Sequence, residues 1–384
     1  MKTPDQTTKT EPLIDSPKIL WGVCGIGNGH TNRQLPLIEH FARKSRMVIF
    51  AYGESHQFYS TRFAGHENVA VERVAVPFYV GNRTGIDFEA SAARPENKQD
   101  FLSINAKAMA AAEKIIGKPD LVISDYEPIC AQYAYAYNSP LVTIDQQSKY
   151  LAGEFPDLGD QSCADEIARL RLFFPKAAER IATSFFDVTP KNQPDERVEM
   201  VPCVLKDDIT SLRRDTSRRT RSILLYLSSQ QPFGQSLNEI TELCAAQKDT
   251  TFHLFAPGKT LETLPATAEN VHLYRHGDSS FYSVIQQCSG IVTTAGHTLL
   301  SEAMHLEIPV YAIPFALYEQ QMNARVIAQN GFGISHTSID EPHLSEFIEG
   351  LPDFTTAIHQ DRFALLRGPS QQTIIQHLEQ KFLR

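Results

Sequence analysis

The 384-residue sequence lacks the features that mark several large protein classes. It has no apolar run approaching the ~18 residues needed to span a bilayer. Its first residues, MKTPDQTTKTEPLIDSPK, are polar and hold no apolar signal core. It has no CxxC pair and no metal-like cysteine spacing. Cys24, Cys130, Cys163, Cys203, Cys244 and Cys288 are scattered, mostly in apolar stretches. That pattern predicts buried free thiols in a reducing compartment. Positive charge is also short: the net charge of −9 argues against a nucleic-acid partner, because neutralising phosphate takes a basic face. Together these absences predict a cytoplasmic protein with no membrane span, leaving open only a peripheral position at the inner membrane face.

What is present reads as globular. Apolar residues make up 42% and charged residues 21%, and the length suits two domains rather than one core. Short apolar runs at 19–24, 46–52, 70–76, 121–124 and 141–144 predict buried strands, with helical patterns at 31–44, 99–116 and 129–137 between them. Strands alternating with helices imply a parallel sheet covered on both faces. The pattern weakens from Pro190 to Arg221, where Arg213, Arg214, Arg218, Arg219 and Arg221 cluster. This stretch suits a solvated linker, with an anion-attracting patch as the alternative. Alternation then resumes, with strands at 222–227, 251–255, 271–274, 290–293 and 310–313, and helices at 237–247, 279–287 and 298–305. A last helix near 373–382 is long enough to reach back to the first domain. The expected domains are therefore a flexible tail (1–17), a first α/β domain (18–205, with the segment 366–384 packing back on it), a linker (206–221) and a second α/β domain (222–365). A cleft lies between the two doubly wound domains.

Two loops carry candidate chemistry. The first strand runs into Gly25-Ile-Gly27-Asn-Gly29-His30. Such a loop lets backbone approach a ligand, and the following helix N-terminus favours negative charge. A dinucleotide fingerprint would place a third glycine where His30 stands, though Glu54 lies where a ribose-binding acid sits. His30 falls at the carboxyl end of a strand, where open α/β sheets bind ligands, and imidazole suits proton removal near neutrality. Asp125, at the end of the run 121–124, is the acid that would orient it. The competing account makes both residues helix caps. In the second domain, Thr294-Ala-Gly296-His297-Thr298 joins a strand to a helix and forms an anion site of backbone N–H groups and hydroxyls. Glu302, one turn on, faces the same way. An ordinary threonine N-cap is again the alternative.

Downstream, the chain reads Ile308-Pro-Val-Tyr-Ala-Ile-Pro314, then Glu319-Gln320 and Asn323-Ala324. With Gly296 to Glu302, Gly29-His30 and Asp125, this series resembles the nucleotide-sugar glycosyltransferases of the GT-B superfamily, in their UDP-glycosyltransferase and MurG-like branches. The resemblance spans both domains and implies two Rossmann-like domains facing each other across a cleft. It implies an inverting hexosyltransferase that uses a nucleotide-diphosphate sugar, UDP-linked, as co-substrate, with no other cofactor and no metal. His30 would be the general base and Asp125 its partner, with Gly27 and Gly29 in the acceptor-side loop. Ser229, Thr294, Gly296, His297, Thr298, Glu302, Glu319 and Gln320 would bind the donor. The acceptor would be a small molecule, a glycan or a lipid-linked compound, contacted by the segment 77–103 with Phe78, Tyr79, Asp87 and Phe88. The chain departs from the plant-type pattern at Thr294, Thr298 and Leu299, and at Glu307 in place of glycine, which favours a bacterial type. The alternatives are a non-catalytic nucleotide-sugar-binding protein of the same fold, a nicotinamide-dependent oxidoreductase and a sugar-nucleotide epimerase.

Overall fold

The structure, a computed structural model, describes residues 16–82, 85–192, 196–213, 221–227, 235–262, 268–315 and 317–383. Strands β1 (Lys18–Val23), β2 (Arg46–Ala51) and β3 (Val69–Arg73) open the chain, and β4 (Val80–Asn82) pairs with β5 (Gly85–Asp87) in a separate hairpin. Then follow β6 (Leu121–Asp125), β7 (Leu141–Asp145), β8 (Glu179–Thr183) and β9 (Glu199–Val201). The first sheet has the order β3-β2-β1-β6-β7-β8-β9, and every pair in it is parallel. In β1, Ile19, Leu20, Trp21 and Val23 are all fully buried, as expected of a strand covered by helices on both faces.

The second sheet repeats the plan. It comprises β10 (Ser222–Tyr226), β11 (Thr251–Ala256), β12 (Val271–Arg275), β13 (Gly290–Thr293), β14 (Val310–Ala312) and β15 (Gly333–Ser335). Their order is β12-β11-β10-β13-β14-β15, again parallel. In such sheets the crossover direction reverses at one point, and ligands bind at the carboxyl ends of the strands beside it. Here that point falls between β1 and β6 in one domain and between β10 and β13 in the other. The two candidate loops leave β1 and β13, so topology alone brings them to the ligand edges.

Several elements differ from the sequence expectation. The helix after β1 is Asn28–Ala42, starting three residues before Thr31, so His30 lies in its first turn. The helix after β13 is His297–His305, one residue earlier than expected. β8 and β9 complete the first sheet although β8 was not anticipated and β9 is only three residues long. The helices Gly53–Arg62, Ala164–Phe173, Tyr318–Gln329 and Glu341–Gln360 also escaped the pattern reading. The last of these contains Pro352, a residue that argues against a helix interior.

The start of the expected linker is not a simple solvated stretch. Asp207–Thr210 forms a helical turn, and Ile209 is fully buried in a core shared by both domains. Arg214, Arg218 and Arg219 lie outside the described residues. The return to the first domain is built by Leu365, which bridges Phe186, and by Leu366 N–H donating to Phe185 O at 3.0 Å. The final helix is Gln371–Phe382, shorter than the segment 366–384. It buries Ile374, Ile375 and Leu378 in the core with Ile19, Leu37 and Phe41. His40 and His377 tie it down through Glu379 (2.9 Å) and Glu179 (2.6 Å). All six cysteines are free, five of them buried. Among the described residues no helix is long and apolar enough to cross a membrane.

Candidate active site

After β1 the chain turns through Gly25-Ile26-Gly27. Gly27 has φ +68°, a left-handed conformation that an L side chain rarely adopts. The turn feeds the helix Asn28–Ala42, whose N-terminus carries no side-chain cap. His30 and Arg33 lie one turn apart on this helix and both reach Asp125, the last residue of β6, whose side chain is fully buried. Val23 is the register partner of Asp125, which is why the acid and the helix N-terminus share an edge.

Asp125 is the hub of a closed network. His30 Nδ1 lies 3.0 Å from its Oδ1, while Arg33 donates from Nη2 to Oδ1 at 2.6 Å and from Nε to Oδ2 at 2.8 Å. Gln34 donates to Oδ2 at 3.1 Å and to Ile144 O at 2.9 Å, and accepts from the Trp21 indole N–H at 3.1 Å. A bidentate guanidinium makes a buried carboxylate tolerable. Burial pushes the Asp125 carboxyl up, but Arg33 and His30 outweigh it and hold the group below its ordinary value. For His30, burial and Arg33 press downward, yet Cys24 and Asp125 outweigh them and raise the imidazole above its usual value. The Cys24 thiol, 3.1 Å from the Tyr52 hydroxyl, is pushed up by burial and pulled down more strongly by the same imidazole.

Arg33 also sets a constraint. Its Nη2 is 2.6 Å from His30 Nδ1, and a guanidinium can only donate. A neutral His30 whose Nδ1 bears the proton gives it to Asp125; the other tautomer accepts from Arg33. Only the first leaves Nε2 with a free lone pair. The sequence reading missed Arg33, although its spacing of three from His30 on a helix was a usable signal.

Across the seam, β13 ends and Thr294-Ala295-Gly296 turns into the helix His297–His305. Ala295 sits at φ +58°, a strained conformation for a side chain with Cβ, and its carbonyl accepts from the buried Asn323 side chain at 3.0 Å. Gly296 offers no side-chain cap, so the first N–H groups of this helix are open to an anion. Thr298 Oγ1 donates to Gly29 O at 3.3 Å. A Cβ on Gly29 would lie 3.1 Å from that oxygen, so glycine permits the close approach. The residue next to His30 thus touches the start of the opposite helix.

The other residues that the sequence suggests for donor binding sit in varied surroundings. His297 is buried with Nε2 unpartnered; its ring packs on Phe185, and burial with Lys149, Arg33 and His30 holds it well below its ordinary value. Glu302 is buried and, by desolvation partly offset by Lys206, is raised to about 7. Gln320 uses its carboxamide oxygen to accept from Phe315 N at 2.9 Å, leaving its NH2 for other partners. Glu319, in the first turn of Tyr318–Gln329, acts electrostatically on Lys149 and Arg33 of the other domain. Ser229 lies outside the described residues.

Lys149 was also missed. It is fully buried after β7, donates to Gln146 Oε1 at 3.2 Å, and lies over the Tyr150 and Phe186 rings. Burial lowers it to about 8. No sequence periodicity distinguishes such a lysine from a solvated one. In the segment 77–103, Asp87 is occupied in capping Phe88–Ala93, while Phe88 and Leu102 are exposed.

Two doubly wound domains set edge to edge, with an uncapped helix N-terminus facing a histidine–aspartate pair, define a two-domain Rossmann-like protein of the GT-B architecture. Solved structures agree on the fold. CalG4, the calicheamicin glycosyltransferase, matches with a TM-score of 0.57 at 17% identity, covering 96% of this chain and 98% of that one. A UDP-glucose:anthocyanidin 3-O-glucosyltransferase in complex with UDP matches with a TM-score of 0.63 at 14% identity, covering 94% and 95%. VinC, a glycosyltransferase in complex with dTDP, matches with a TM-score of 0.56 at 15% identity, covering 95% and 100%. An uncharacterised glycosyltransferase of Methanosarcina acetivorans is 24% identical over 347 residues, 85% of either chain. The model of Glycosyl transferase family 1 matches residues 17–352, and the chain belongs to that family.

Proposed function

We propose that the protein is an inverting glycosyltransferase that moves a hexose-type sugar from a nucleotide-diphosphate donor, UDP-linked, to an acceptor hydroxyl. The observation that carries this reading is the Gly29–Thr298 contact, which sets the His30–Asp125 pair directly beside the open N-terminus of His297–His305. A base and an anion site that adjoin are what a displacement at a carbon bearing a diphosphate needs.

In this reading the deprotonated form of His30, the minor one below its raised pKa of about 10, takes the acceptor proton on Nε2 as the oxygen attacks the anomeric carbon. The bond from that carbon to the diphosphate oxygen breaks at the same time. Asp125 holds Nδ1–H and stabilises the imidazolium that forms. The charge leaving on the diphosphate is met by the N–H groups of His297 and Thr298 and by the Thr294 hydroxyl, and the Thr298 hydroxyl joins them by turning its one proton away from Gly29 O. The resemblance assigns a further phosphate contact to Ser229, which follows β10 in the sequence. Glu302 accepts from the ribose, Glu319 and Gln320 from and to the sugar hydroxyls, and Gly27 and Gly29 give the acceptor room. No metal is needed for the leaving group, and loss of activity on EDTA treatment would contradict that point.

The test is His30→Ala, assayed for sugar transfer and, by thermal shift, for nucleotide binding. Transfer should fall at least a hundredfold while stabilisation by UDP persists. Normal turnover would remove His30 as the base. A panel of UDP, TDP, GDP and NAD addresses the donor, since a ligand that binds the folded state raises Tm. Stabilisation by NAD alone would favour an oxidoreductase.

A further inference from the structure

We propose a divalent metal site, of the type filled by Zn2+, formed by His336, His343 and Glu346 at the outer edge of the second domain. One ligand atom from each of the three residues lies within 4.8 Å of the others. His336 follows β15, and its N–H donates to Ala312 O at 3.1 Å, so its backbone is fixed by the sheet. His343 and Glu346 lie three apart on the helix Glu341–Gln360 and therefore share a face.

The surroundings of His343 distinguish this cluster from a chance grouping. Asp340 caps the helix by accepting from His343 N at 2.9 Å through Oδ1, and its Oδ2 takes the His343 Nδ1 proton at 2.7 Å. That second bond fixes the tautomer, leaving Nε2 with its lone pair, in the carboxylate–histidine arrangement that stands behind metal-bound imidazoles. The His336 ring stacks on His343 at 3.5 Å between centroids, with the planes 20° apart, and Tyr311 meets its edge at 5.8 Å. Coordination turns the two imidazoles apart about their Cβ–Cγ bonds until both lone pairs converge. Two imidazoles, a carboxylate and one water make a tetrahedral set suited to Zn2+, whereas Mg2+ and Ca2+ prefer oxygen ligands.

The site has no part in the sugar chemistry proposed above. β15 lies two strands from β13, a separation of about 10 Å. The ion would instead join the last strand of the sheet to the helix that follows it. Partial exposure of His343 and Asp340 gives it a path from solvent.

The experiment uses the full chain, stripped with EDTA, titrated with ZnCl2 by isothermal calorimetry and followed by thermal shift. One equivalent should bind with a micromolar or lower Kd and raise Tm. Glu346→Gln, at an exposed position, and His343→Ala should each weaken binding at least tenfold while the far-UV circular dichroism of the apo protein stays that of wild type. Co2+ should give a tetrahedral visible spectrum that both variants lose. No saturable binding below 100 μM, or equal binding in wild type and Glu346→Gln, would overturn the assignment.

Discussion

Replacing Arg33 by glutamine alters the charge at the candidate base without touching the base. The guanidinium lies 2.6 Å from His30 Nδ1 and is paired bidentately with Asp125. A bare unit charge at about 2.6 Å acts with about 6 kcal/mol at an effective dielectric near 20. Asp125 cancels most of that field, so the residual repulsion on an imidazolium is on the order of 1–3 kcal/mol, about one to two pKa units. Arg33 disfavours the protonated ring, so Arg33→Gln raises the His30 pKa. The base acts in its neutral form, so the acid limb of the rate profile moves about one to two units to higher pH. The variant also deprives a buried carboxylate of its main partner, a loss of about 3–5 kcal/mol when a buried pair is broken. His30 recovers part of this by carrying more charge. Histidine NMR titration and the pH dependence of donor consumption read the two shifts separately. An unchanged or lowered His30 pKa refutes the role given to Arg33. A raised pKa with an unmoved acid limb removes His30 as the group that takes the proton.

Other consequences concern the opposite domain and the seam. Glu302 is raised to about 7 by burial, and in the proposed donor site it accepts from both ribose hydroxyls with both oxygens only as a carboxylate, so the donor KM should rise as pH falls below 7; Glu302→Gln should bind more weakly and abolish that dependence. Lys149 is depressed from 10.5 to about 8, so keeping it charged in the fold at neutral pH costs about 3 kcal/mol. Its folded pKa lies below its unfolded one, so wild-type stability rises with pH between about 8 and 10.5. Lys149→Met should raise Tm at pH 7 and flatten that rise. A lower Tm would show that the lysine is a structural strut.

Most of the fold was legible because buried parallel strands announce themselves as short apolar runs, and both sheets lie close to where those runs fall. The misses have physical causes. β9 has three residues and lies where polar sequence dominates, and the Glu341–Gln360 helix carries Pro352 and Gly350, two helix breakers that tertiary packing overrides. At the site, His30 and Asp125 were readable because strand ends fix their shared edge. Arg33 and Lys149 were not, because an arginine on a helix and a lysine after a strand are ordinarily solvated. Only the three-dimensional placement beside Asp125, or beneath the seam, changes their meaning. The early start of both site helices follows from turns at Gly27 and Ala295 that use left-handed conformations, which no apolar periodicity reports.

The helix Gln371–Phe382 has a consequence for biosynthesis. Ile374, Ile375 and Leu378 belong to the same core as Ile19, Leu37 and Phe41, side chains separated by more than 300 positions along the chain. As synthesis proceeds, the first domain emerges early but keeps an apolar face exposed until these last residues leave the ribosome. The second domain, whose sheet lies entirely between Ser222 and Ser335, completes its sheet before the first domain completes its core. The order of closure is thus the reverse of the order of emergence, and the unfinished first domain is the species a chaperone would meet.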